Sequence, residues 1–159
     1  MSQTLVHIDR RDDDHFRPVW LMIAATALDA LILEQTAEAV IYADHEGVIE
    51  RWNAAAAAMF GYPAAEALGQ NLDLMIPERL RKAHWRGFDA AVTSGKTRLG
   101  GRATLTRGLH KSGKKLYVEM SFALVLDDAG STLGSVAIAR DVTERVGREK
   151  AAAGGAGQP

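Results

Sequence analysis

The sequence predicts an α+β domain: a five-stranded antiparallel sheet with short helices over one face. Two strand pairs are separated in the chain, 39–43 with 48–52 and 100–111 with 114–126, and a fifth strand follows at 133–140. Between the pairs, residues 54–93 carry helical rather than alternating periodicity. In the fourth strand Leu116, Val118, Met120, Phe122 and Leu124 alternate strictly and so share one face. Hairpins split by helices give an antiparallel sheet with its helices gathered on one side.

Each element has its own signal. Residues 1–15 are polar, with Asp12, Asp13 and Asp14 in a row, and form a loose lead-in. Pro18 suits a first helical turn. From Trp20 to Leu33 apolar residues recur at helical spacing on a stripe broader than a surface helix needs. The 16–33 segment must therefore bury itself against its own domain or against another copy, and a homodimer contact is the favoured expectation. After strand 39–43, Asp44-His45-Glu46-Gly47 is a tight turn in which Gly47 supplies a positive φ. Asn53 caps a short helix over 54–60 that Gly61 ends, and 63–68 is a second short helix closed by Gly69. Pro77 opens the long helix 78–93, with Gly95 as its stop. Ser112-Gly113 turns the second hairpin, and 143–153 is a charged exit helix before a Gly/Ala-rich tail. The domain proper spans 34–145, and 146–159 completes the helix end and flexible tail.

Composition bounds the function. A chain of 159 residues with 47% hydrophobic and 25% charged residues is an ordinary single globular domain. Nineteen Lys and Arg against twenty Asp and Glu leave a net charge of −1, which argues against nucleic acid as the main partner. Cysteine is absent, which excludes disulfides, thiolate metal sites and cysteine-linked chromophores. No secretory signal is visible, and the densest apolar stretch is short and carries Asp29, so a soluble cytoplasmic protein with no membrane partner is expected. There is no Gly-rich phosphate loop, Gly-x-Ser-x-Gly or His-Glu-x-x-His motif, and no catalytic residue is expected.

Several short pieces, taken in order, resemble a PAS domain. They are Tyr42-Ala43-Asp44 with Gly47-Val48-Ile49, Trp52-Asn53-Ala54-Ala55, Phe60-Gly61-Tyr62, Gly69, and Arg140-Asp141-Val142-Thr143-Glu144-Arg145. The resemblance implies a sensory and dimerisation module whose sheet and short helices cup a small cavity, with flanking helices carrying the signal.

The long helix offers the discriminating residue. Leu80, Gly87, Phe88 and Ala91 mark its apolar face, and His84 falls on that face, while Arg79, Lys82, Arg86 and Asp89 point away. An imidazole in the cavity without a partner costs about 1–3 kcal/mol. Iron, a backbone carbonyl or a buried water would each remove that cost. The run Ile76-Pro77-Glu78-Arg79 through His84 to Gly95 is similar to the haem-binding helix of the oxygen-sensing PAS domains in rhizobial histidine kinases. That resemblance implies haem b, with His84 Nε2 as the proximal iron ligand and the other ring nitrogen held by a carbonyl or water. Leu99, Met120 and Phe122 then surround the gas-binding side, with Met120 a candidate sixth ligand. Phe88 and Trp85 border the cofactor, and Trp85 stands where those sensors carry Asp. Their distal arginine falls on Thr104; Arg102, two residues earlier on the same strand face, is the substitute for bonding bound oxygen or a propionate. His7, His15, His45 and His110 lie in polar contexts and are expected at the surface.

The implied function is a haem-based sensor of a diatomic gas or redox state, relaying to a separate signalling protein if these 159 residues are the whole protein. Two alternatives stand beside it: a PAS domain for another small ligand or noncovalent flavin, and a ligand-free dimerisation module with its cavity filled by Met75, Met120 and Phe122.

Overall fold

The computed structural model describes residues 19–155, with side chains from Thr26 to Ala153. The polar lead-in, the helix start at Pro18, the side chains of Trp20 to Ala24 and the tail beyond Gly155 lie outside the described residues. The elements run α1 (Val19–Gln35), β1 (Ala39–Asp44), β2 (Ile49–Trp52), α2 (Ala54–Phe60), α3 (Ala64–Ala67), a 3₁₀ turn (Leu72–Leu74), α4 (Glu78–Ser94), β3 (Thr104–Leu109), β4 (Lys115–Leu126), β5 (Thr132–Asp141) and α5 (Thr143–Gly155). They divide into two units, α1 as far as Ile32 and the chain from Leu33 onward. Within the first unit α1 carries apolar residues all round its axis, and Leu28, Leu31 and Ile32 are exposed. No helix among the described residues is long and apolar enough to cross a membrane.

In the second unit the five strands form one antiparallel sheet in the order β2-β1-β5-β4-β3. The middle of the sheet is closed by β1 and β5, paired from Ala39–Ala139 to Asp44–Gly134. Its inner face is uneven in size. β1 and β5 present Ala39, Ile41, Ala43, Ser135, Ala137 and Ala139 there, small apart from Ile41, whereas β4 presents Leu116, Val118, Met120 and Phe122. Small side chains in the centre leave a hollow that the helices roof over. The core clusters round this hollow, with Ile41, Ile49, Leu116 and Val118 its largest fully buried side chains.

The expected β3 is corrected. It starts at Thr104 rather than at residue 100, because Gly100 and Gly101 both take positive φ and turn the chain before it can pair. Arg102 therefore lies on the loop, exposed, and not on a strand face beside Thr104.

The helices are placed by local caps and by one buried side chain. Asn53 Oδ1 accepts from Ala56 N at 3.0 Å, the expected cap of α2, and also from Val40 N at 2.9 Å. Its Nδ2 donates to the carbonyls of Leu33 and Glu38, both at 3.0 Å. One amide thus joins β1, α2 and the segment entering the sheet. Trp52 packs at 5.5 Å from Phe60, the rings tilted by 43°, and donates Nε1 to Tyr62 O, which seats α2 on the core. At the other end Tyr117 N donates to Thr143 Oγ1 and Val142 N to Tyr117 O, both at 2.9 Å, fixing the start of α5. Asp141 Oδ1 accepts from Thr143 N at 2.8 Å and caps that helix.

Candidate functional site

The site is built on α4. Its positions Leu80, His84, Phe88 and Ala91 fall on one face because residues three and four apart stack on a helix. Phe88 and Ala91 are buried, Leu80 and His84 half-buried, and Arg79, Lys82, Arg86 and Asp89 all exposed, as the periodicity requires.

Two cavities meet at His84. The inner one, about 100 Å³, lies between sheet and helices and is lined by Ile41, Phe60, Met75, Leu80, Val118 and Ala137 among others. The outer one, about 420 Å³, is a groove between α4 and β4, closed by Thr97, Arg98 and Leu99. His84, Met120 and Phe122 line both. The groove lies within the roughly 300–1,000 Å³ typical of small-molecule sites. Phe88 packs 6.0 Å from the His84 ring and 6.4 Å from Phe122, so an aromatic pair runs from the imidazole across to β4.

His84 Nδ1 is buried and has no hydrogen-bond partner, the one such side-chain atom among the described residues. The expectation of a backbone carbonyl on this nitrogen is not met. Burial holds the His84 imidazole below its ordinary pKa of 6.5, partly opposed by the carboxylates of Asp73 and Asp89. A neutral ring offers a lone pair, which is the form that ligates a metal.

The remaining predicted residues divide. Leu99 and Phe88 line the outer groove, and Met120 and Phe122 both cavities. Thr104 pairs with Met120 at the start of β3 and lines neither. Arg102 lines neither; its nearest partner is the Leu99 carbonyl, 3.4 Å from Nε. Trp85 also lines neither. It turns away from the groove, donates Nε1 to Asp73 Oδ1 at 2.9 Å and lies against Gly47. Of the histidines expected at the surface, His45 is exposed, but His110 is half-buried, with its ring against Gly61 and Nδ1 bonded within its own turn.

Sequence reasoning missed Leu72, Gly87 and Arg98 in the walls, and Asp73 and Arg81 behind them. Gly87 and Arg98 fall on the predicted face and on the loop beside Leu99, so those two had a signal. The pairing of Asp73 with α4 had none, since the two segments meet only in the folded chain.

A sheet and short helices cupped round a cavity, with a capped helix leaving the last strand, define the class of fold. The chain belongs to the PAS-fold family, whose model matches residues 33–147. It is 27% identical over 118 residues to the oxygen sensor protein DosP of Escherichia coli, covering 74% of this chain and 14% of that protein. It is 26% identical over 113 residues to the sensor protein FixL of Bradyrhizobium diazoefficiens, covering 71% of this chain and 22% of that one. The chain thus spans less than a quarter of either relative. Among solved structures, an RNA-binding light-oxygen-voltage receptor superposes with a TM-score of 0.65 at 23% identity, over 97% of this chain and 42% of that one. This last likeness shows the fold.

Proposed function

We propose that this PAS domain is a sensory module that binds haem b through the His84 imidazole and reports a diatomic gas or redox state. The observation that carries the reading is the unpartnered Nδ1 of His84, on the helix face where two cavities meet; it makes Nδ1, rather than the Nε2 that the resemblance implies, the nitrogen a ligand would complete. An unmade hydrogen bond of this kind costs about 1–3 kcal/mol, and a buried polar group without a partner calls for a functional account. The residues fit the group: an imidazole held neutral, an aromatic and aliphatic wall, and no thiolate to compete. When bound, haem supplies an iron with a face open to a small gas.

The chain's own residues do the rest. His84 would hold the group and set its position; Met120, Phe122 and Leu99, which line the outer groove, would keep water from it, and Met120 offers a thioether as a competing ligand. The similarity to a protein named an oxygen sensor, and the resemblance of α4 to the haem-binding helix of that class, support the reading. The output would leave by α5, whose start hangs on Tyr117 of the cavity strand β4, and α1 would join two copies for a separate signalling partner.

A second reading, noncovalent flavin in the same cup, is favoured by the likeness to the light-oxygen-voltage receptor. Absorption spectra of the purified protein, before and after adding hemin, separate them. Haem bound by His84 gives a sharp Soret band that His84→Ala abolishes, and CO then shifts the band if the second face is open. A flavin spectrum indifferent to His84→Ala establishes the second reading, and a spectrum that hemin cannot change overturns the first.

A further inference from the structure

Trp85 stands beside the proposed ligand yet faces the other way, and its surroundings are as specific as those of His84. Successive helix residues are about 100° apart, so whatever fixes residue 85 also fixes the direction of residue 84. The indole Nε1 donates to Asp73 Oδ1 at 2.9 Å. One turn earlier on the same face, Arg81 Nη2 donates to the Asp73 carbonyl at 2.9 Å and Arg81 Nε to the Ile76 carbonyl at 3.2 Å. Arg81 and Trp85 therefore grip the 3₁₀ turn from one helix face, while Leu80, His84 and Phe88 face the cavity from the next.

The other side of the indole is closed by backbone. A Cβ on Gly47 would lie 2.3 Å from Trp85 Cη2 and 2.6 Å from Cζ3, so the ring rests on this glycine of the β1–β2 turn. Gly47 O in turn accepts from Leu72 N at 3.0 Å, which ties that turn to the segment carrying Asp73. The indole is clasped between two segments that are themselves bonded together. Its ring stands edge-on to His84, with centroids 5.1 Å apart at 85°, and edge-on to Phe88 at 5.3 Å.

We propose that Trp85 is the positioning residue of the His84 site: clasped between Gly47 and Asp73, it fixes the rotation of α4 and so aims the imidazole at the cavities. This rests on the reading of His84 as the ligand-binding side chain. It assigns Trp85 a role behind the ligand rather than beside the cofactor. Groups that orient a metal-binding histidine typically govern about 10- to 100-fold in affinity.

The test uses Gly47→Ala, Trp85→Phe, their combination, Asp73→Ala and Asp73→Asn. In ligand-free protein, the aromatic rings beside His84 are expected to displace its ring resonances from those of exposed His45. Gly47→Ala and Asp73→Ala are expected to move them toward His45 and to weaken hemin binding by about 10-fold or more. Asp73→Asn keeps an acceptor for the indole and is expected to retain both. Gly47 takes φ 83°, so alanine there strains the turn in either background; in hemin binding and in the His84 resonances, however, the double variant is expected to be no worse than Trp85→Phe alone, because the clash requires the indole. His84 resonances unmoved in Gly47→Ala and Asp73→Ala, or additive losses in the double variant, would overturn the proposal. If Gly47→Ala does not fold, the Asp73 pair decides alone. If the parent protein takes up no hemin, the haem reading fails while the resonance measurement still decides the role of Trp85.

Discussion

Asn53 and His84 are both polar side chains drawn into the interior, and the fold treats them in opposite ways. Asn53, 5% exposed, has two acceptor and two donor bonds, all between 2.9 and 3.0 Å. His84 has an equally buried ring nitrogen and no bond to it at all. Folding ordinarily completes what it buries, since an orphaned polar group costs more than a made hydrogen bond returns. At the junction of β1, α2 and the entering segment that rule is obeyed in full. At the cavity it is broken once, on the helix face where a ligand has room to complete it. The difference separates a residue kept for the architecture from one kept for the site.

The largest effect that would sharpen this contrast belongs to the satisfied side. Asn53→Ala removes four hydrogen bonds and strands their backbone partners, and is expected to cost about 2–4 kcal/mol of unfolding free energy, read from urea titration. A change near zero would break the comparison. Next comes Gly61→Ala. Gly61 takes φ 78° at the end of α2, and an added Cβ would meet the His110 ring at 2.3 Å. The left-handed conformation alone costs about 1–2 kcal/mol, and His110→Ala in the same chain is expected to return only the steric part. His84→Phe is expected to act oppositely in ligand-free protein. It removes the orphaned nitrogen and keeps the ring, so stability rises by up to about 1 kcal/mol, while hemin binding is lost.

The smallest effect is electrostatic. With the folded pKa of His84 held below 6.5, the unfolded chain binds the extra proton first as pH falls. The His84 contribution to stability is therefore complete above pH 6.5 and is lost as pH drops from there to the lowered folded value, below which it is flat. Urea midpoints of ligand-free protein between pH 7.5 and 5, buffers chosen at about half-unit steps, should show this slope in the parent and less of it in His84→Phe. A parallel profile in the two proteins would show that His84 does not titrate as a buried ring.

Much of this was legible in the sequence because the signals are local. The alternation from Leu116 to Leu124, the Asn53 and Gly61 caps and the Pro77 and Gly95 boundaries all act within a few residues of themselves. The face of α4 was legible for the same reason, and with it His84. What escaped depends on contacts made across the chain. Asn53 reads as a cap of Ala56, but its bonds to Leu33 and Val40 bridge segments 20 and 13 residues away. Trp85 reads as a neighbour of the ligand, and only its meeting with Gly47 and Asp73 turns it outward. Arg102 was misplaced for a local reason. Its position assumed an unbroken strand through Gly100-Gly101, and two positive-φ glycines end that strand before it begins.

The central claim is that His84, whose buried Nδ1 has no partner within the protein, binds a ligand in the cavities that meet there. Its most direct test is the unfolding free energy of the parent protein and of His84→Phe, each with and without saturating hemin. The account predicts that hemin raises the stability of the parent by an amount that grows with its concentration, and leaves the variant unchanged. Equal stabilisation of both proteins, or none in either, would contradict it.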